Sequence, residues 1–121
     1  MVTTIITDVL KNLPGSFFST GGDEVNLPCY ANDTITQATL TSKGQTILEA
    51  MADFVNATHT SVFAAGKTPV VWEENLVSEE AIPINKDVII LGWKGTESFP
   101  KILEAGHRVI QASYEHFYLD W

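Results

Sequence analysis

The chain reads as an α/β protein, with parallel strands joined by crossover helices. Three observations predict this. The runs "PVVW" and "VIIL" are continuously apolar and bounded by turn and charged residues, as strands buried on both faces are. Helical periodicities fall between the apolar runs. Polar or aromatic residues follow each run: Asp23-Glu24, Trp72-Glu73-Glu74, Trp93-Lys94 and Tyr118-Leu119-Asp120. Parallel α/β sheets bind ligands beyond the carboxyl ends of their strands. Four strand exits are therefore expected to build one pocket.

The elements follow in order. Ile5, Ile6, Val9 and Leu10 predict a short helix over Thr3 to Asn12, stopped by Pro14-Gly15. Ser16 to Thr20 reads as a strand ending at Gly21-Gly22. A long polar loop is expected through Asn26, Pro28 and Asn32. From Ser42 to Ala65 the pattern is helical, with Ile47, Met51, Phe54, Val55, Thr58 and Val62 on one face, and Gly66 ends it. Val70 to Trp72 and Val88 to Leu91 are strands. Phe99 to Ala105 fits a short helix closed by Gly106, and "HRVIQAS" is the last strand. No repeat, low-complexity tract or linker divides residues 1–121.

Composition narrows the function. Fifteen acidic residues against seven basic ones give a net charge of −8, which argues against nucleic acid as the main partner. No apolar run reaches the ~18 residues of a membrane span. The start, "MVTTIITDVLKNLPGS", lacks the basic leading region of a secretory signal. The single cysteine, Cys29, has no partner within the chain. Asn32 and Asn56 each begin an N-x-Thr acceptor. Asn32, in the expected loop, is the better glycan candidate.

Carboxylates among aromatic rings suit sugar. Tryptophan faces cover the apolar C–H face of a pyranose, and carboxylates take its hydroxyls. Glycoside cleavage needs a carboxylic acid beside the leaving oxygen, and burial or a neighbouring carboxylate raises a carboxyl pKa. Metal binding is the competing use of acids. No EF-hand spacing occurs, and no zinc pattern links His59, His107, His116 and Cys29, so no metal or other cofactor is expected. Acidic pairs after glycines also occur as solvated turns, and Trp72 and Trp93, read without a family, suit a core better than a pocket. His59 is expected to be a surface or satisfied core residue, His107 and His116 to be structural rather than catalytic, and Arg108 to pair with an acidic neighbour.

"FSTGGDEVN", "PVVWEE", "VIILGW" and "HRVIQASYEHFYLD" together resemble, in this order, the catalytic domain of family 20 glycoside hydrolases, the β-N-acetylhexosaminidases, with wording nearest the fungal members. The resemblance implies a (β/α)8 TIM barrel, of which residues 1–121 would be a partial catalytic domain running from about the fourth strand to the seventh. It implies hydrolysis of terminal β-linked N-acetylhexosamine without a cofactor, the substrate's acetamido oxygen acting as nucleophile. Glu24 would be the general acid and then base. Asp23 would hold the acetamido N–H, and Tyr118 would donate to its oxygen. Trp72 and Trp93 would wall the sugar, and Asp120 would bind remote hydroxyls. Glu73 and Glu74 receive no role.

Ser19 stands where many relatives carry histidine. The family's substrate-binding arginine and a further pocket tryptophan belong to other strands. The resemblance also places any cysteine partner upstream, so Cys29 is expected to be a free thiol. The parent enzyme would be secreted or lysosomal/vacuolar. A partial barrel exposes two sheet edges, so the alternative is an inactive fragment that binds carbohydrate weakly or self-associates.

Overall fold

A computed structural model describes residues 1–79 and 81–120. Its centre is a four-stranded parallel sheet in the order β1-β2-β3-β4: Phe17–Gly21, Thr68–Trp72, Ile89–Gly92 and Arg108–Gln111. Neighbours in sequence are neighbours in space, as in a barrel wound one βα unit at a time. Register pairs Val70 with Ile89 and Ile90 with Val109. The expected strands are all present, each shifted by a residue or two.

The inner strands β2 and β3 are buried along most of their length, as their continuous apolar runs require. Val71, Val88, Ile90 and Ile102 form the core, with Phe63, Leu76, Phe99 and Val109 packed against it. The outer strands differ. Phe17 on β1 is 59% exposed and Ile110 on β4 is 42% exposed. Among the described residues nothing pairs with either outer edge, so their apolar residues face open space.

Seven helices accompany the strands among the described residues. The first, α1 (Val2–Asn12), buries Leu10. The expected long loop is instead two helices, α2 (Leu27–Asn32) and α3 (Thr34–Lys43). Residues that look like loop punctuation start them. The Asn26 side chain accepts from the Cys29 N–H at 3.1 Å, and Pro28 sits in the first turn, where it costs no helical hydrogen bond. Asp33 caps α3 through the Thr36 N–H at 2.8 Å. That hydrogen bonding, first from Thr36, holds the Asp33 carboxyl below its ordinary pKa.

The main crossover helix, α4 (Ile47–Ala64), begins with a capping box. Thr46 accepts from the Glu49 N–H at 3.2 Å, and Glu49 accepts from the Thr46 N–H at 2.7 Å. The helix therefore starts later than the periodicity suggested, because Gly44 ends α3 first. Thr58, His59 and Val62 are buried beneath the sheet, while Phe54 on the same apolar stripe is exposed. The remaining helices are short: α5 (Glu74–Val77), α6 (Ser98–Glu104) and α7 (Tyr114–Phe117).

Cations satisfy backbone carbonyls at the amino ends of the strands. Lys67, before β2, donates to Leu13 O at 2.7 Å and also to Gly15 O. Lys86, before β3, donates to Ala105 O. Arg108, opening β4, donates to Asp87 O at 2.9 Å. Arg108 thus reaches an acidic neighbour through its backbone carbonyl, and among the described residues it forms no ion pair with a carboxylate. No helix among the described residues is long and apolar enough to cross a membrane.

Candidate active site

The carboxyl end of β1 carries the acidic pair. The β1–β2 register shifts between Ser19 and Gly21, which leaves Thr20 as an extra residue and bends the strand's end. The Thr20 hydroxyl lies 3.2 Å from Val70 O, to which it donates, and 3.0 Å from Nε2 of buried His59. Gly21 (φ 72°) and Gly22 (φ 100°) then turn the chain through conformations that side chains rarely adopt. Asn75, buried on α5, donates to Gly22 O at 2.8 Å. A β-carbon on Gly22 would stand 2.2 Å from that amide nitrogen. Glycine is therefore required twice over at this position, by backbone angle and by space.

Glu24 has φ 49°, unlike any other described non-glycine residue. A left-handed conformation costs such a residue roughly 1–2 kcal/mol. Strain of this kind concentrates at functional sites, where the fold holds one side chain in a set direction.

The next two exits bring aromatic rings. Trp72 ends β2 and Trp93 follows β3. Their ring centroids lie 6.3 Å apart with planes at 79°, so they form a corner. Glu73 is 1% exposed, and its Oε1 accepts the backbone N–H groups of Trp93 (2.8 Å) and Lys94 (2.6 Å). Both Glu74 oxygens lie 3.0 Å from the Trp93 indole nitrogen, which donates to them. Lys94 Nζ sits 3.2 Å from Glu74 and 5.5 Å from the Trp93 ring centroid. Past β4, the Ala112 N–H donates to Gly92 O at 2.8 Å and the Tyr114 N–H to Trp93 O at 2.7 Å. These bonds dock α7 against the β3 exit and set Tyr118 beside it.

Five of the residues singled out in the sequence, Asp23, Glu24, Trp72, Trp93 and Tyr118, line one cleft of about 190 Å³. A second small cleft of about 120 Å³ shares Glu24 and is walled by Glu74, Asn75 and Lys94. Asp120 is exposed and does not line the cleft. Asn32 is exposed at the end of α2 rather than in a loop, and its amide donates to Pro28 O at 2.9 Å. Cys29 is a free, exposed thiol.

No group of three or more His, Cys, Asp or Glu residues among the described residues could hold a metal ion. His107 is buried, with Nδ1 3.2 Å from Val88 O, and His116 is exposed. Glu73 and Glu74 carry no role legible in the sequence, and Asn75 gives no signal there at all. Their position directly after a strand was visible, but their partners lie on other strand exits.

The family description "Glycosyl hydrolase family 20, catalytic domain" matches residues 1–121. A β-hexosaminidase of Arthroderma benhamiae is 30% identical over 112 residues, 86% of this chain and 18% of that protein. Beta-hexosaminidase 1 of Arabidopsis thaliana is 29% identical over 120 residues, 99% of this chain and 22% of that protein. The chain thus spans about a fifth of the length of these curated relatives. A crystal structure of an exo β-N-acetylglucosaminidase from Vibrio harveyi, in complex with N-acetylglucosamine, superposes with a TM-score of 0.75 at 21% identity. It covers 91% of this chain and 17% of that one. That likeness places the sheet and its helices as a segment of a (β/α)8 barrel. With the family pattern running the length of the sequence over this fold, the chain belongs to glycosyl hydrolase family 20.

Proposed function

We propose that the protein carrying this chain hydrolyses terminal β-linked N-acetylhexosamine residues of chitooligosaccharides or glycoconjugates, and that residues 1–121 are the part of its catalytic domain bearing the acid. The observation that carries this reading is the convergence of Asp23, Glu24, Trp72, Trp93 and Tyr118, from four different strand exits, on one cleft. The β-hexosaminidase relatives support it.

The reaction proceeds with retention. The substrate's acetamido oxygen attacks the anomeric carbon while Glu24 gives its proton to the departing glycosidic oxygen. Asp23 accepts the acetamido N–H and stabilises the positive charge that develops on the resulting oxazolinium ring. Tyr118 donates to the acetamido oxygen. Water then attacks the anomeric carbon, Glu24 takes its proton, and the ring reopens to the free sugar. The Trp72–Trp93 corner holds the N-acetyl group in place for attack, which is how positioning contributes rate. Asp120 binds hydroxyls remote from the reacting carbon. The parent enzyme works outside the cell or in a lysosome or vacuole, where Asn32 is open to glycosylation.

The test is turnover of a chromogenic N-acetyl-β-glucosaminide by the full-length protein beside its Glu24→Gln variant. The expected loss is on the order of 10²–10⁴-fold, the contribution of a positioned acid. An equally active variant refutes the role of Glu24. A 2-hydroxy analogue should hardly be cleaved, and equal rates on both sugars would reject substrate assistance. The open edges of β1 and β4 favour a second reading for the isolated segment alone, self-association without activity. Sedimentation of that segment as a folded monomer would refute it.

A further inference from the structure

The two carboxylates left without a role in the reaction converge on one residue. Glu73 anchors the backbone of Trp93 and Lys94, and Glu74 takes the indole N–H of Trp93 with both oxygens. We propose that Glu73 and Glu74 are positioning residues that set the angle of the Trp93 indole, and through it the acyl-group selectivity of the cleft. The proposal rests on the N-acetylhexosaminidase reading above.

A tryptophan side chain has two soft torsions, and a turn of the second that tilts the ring plane swings the indole N–H away from the Glu74 oxygens, both 3.0 Å from it. Lys94 Nζ, 3.2 Å from Glu74, lies over the same ring and adds a contact to its face. Glu73, 1% exposed, stops the backbone from shifting instead. The ring is thereby held at 79° to Trp72. A small planar acyl group fits such a corner, and a larger one must move a wall.

Selectivity over a single methylene reaches roughly 10–200-fold, and only where the wall does not yield. Packing alone leaves Trp93 half-buried on an exposed rim. The hydrogen bond to Glu74 is what makes that wall rigid.

The experiment compares kcat/KM for N-acetyl and N-propionyl β-glucosaminides in the full-length protein and three variants. Glu74→Ala should lower the N-acetyl preference by about tenfold, with the pH profile set by Glu24 unchanged. Glu74→Gln, whose amide oxygen still accepts the indole N–H, should restore most of the preference. Trp93→Phe keeps a ring but removes the N–H, and should resemble Glu74→Ala. Near-ultraviolet circular dichroism should show the Trp72–Trp93 signal reduced in Glu74→Ala and kept in Glu74→Gln. An unchanged acyl preference with an unchanged spectrum in Glu74→Ala overturns the proposal. If Glu74→Ala fails to fold, Trp93→Phe with undiminished acyl preference overturns it equally. If the parent protein cleaves neither sugar, the enzymatic reading falls. The spectra then still decide whether Glu74 orients the ring.

Discussion

The backbone carbonyl of Trp93 accepts the N–H of Tyr114 at 2.7 Å. Through this bond the exit of β3 holds the first residue of α7, and α7 leads into Tyr118. Glu73 holds the same stretch from the other side, by its N–H groups. Trp93 is therefore both a wall of the cleft and the joint between two strand exits.

Tyr114→Pro isolates that bond. Tyr114 is the first residue of its helix, where proline is tolerated, and Ser113 before it is already extended (φ −50°, ψ 132°). Only the N–H and the side chain are lost. With Tyr114→Ala as the control for the side chain, Tyr114→Pro should lose a further tenfold or so of kcat. Misplaced catalytic groups cost on this scale. Equal kcat in the two variants would show that the bond does not place Tyr118.

Gly22→Ala should destabilise the parent protein by roughly 1–3 kcal/mol, because an alanine there is strained at φ 100° and meets the Asn75 amide. Adding Asn75→Ala removes the close approach but not the backbone strain, so the double variant should recover only part of the loss relative to Asn75→Ala alone. Thermal or urea unfolding measures both. A Gly22→Ala protein as stable as the original would mean that the turn relaxes freely.

His59 makes stability depend on pH. Burial lowers its pKa from 6.5 to about 4. The unfolded chain takes a proton near 6.5 and the folded one resists until about 4, so the unfolded state binds more protons between them. The contribution of His59 is intact above pH 6.5, falls as pH drops towards 4, and changes no further below. The Nδ1 of His59 is buried without a hydrogen-bond partner among the described residues, and Nε2 faces Thr20. His59→Gln keeps a polar group towards Thr20 but cannot titrate. Its urea midpoint should fall less steeply over that pH window than the original's. Identical slopes would reject the assignment.

The legible parts of this molecule were those with a local cause. Consecutive apolar residues rich in valine and isoleucine in "PVVW" and "VIIL" suit strands covered on both faces, and β2 and β3 are the two buried strands. Asp23, Glu24, Trp72, Trp93 and Tyr118 were legible as a set because each follows a strand, and they do share a cleft. Asp120, two residues past Tyr118, is exposed and outside that cleft; both follow α7, whose single turn the sequence did not announce. Helices α2 and α3 look like loop in the sequence because Asn26, Pro28 and Asp33 are turn residues and helix-starting residues alike. The roles of Glu73 and Glu74 were not legible because the groups they bind arrive from the next strand exit.

The cations that clasp backbone carbonyls, Lys67, Lys86 and Arg108, all sit at the amino ends of the strands. The cleft lies at the carboxyl ends, roughly 13–17 Å away along strands of four or five residues. Substitutions so far apart and without shared partners combine additively. Substitutions that tighten the amino end of the sheet are thus expected to leave the geometry of the cleft end as it is.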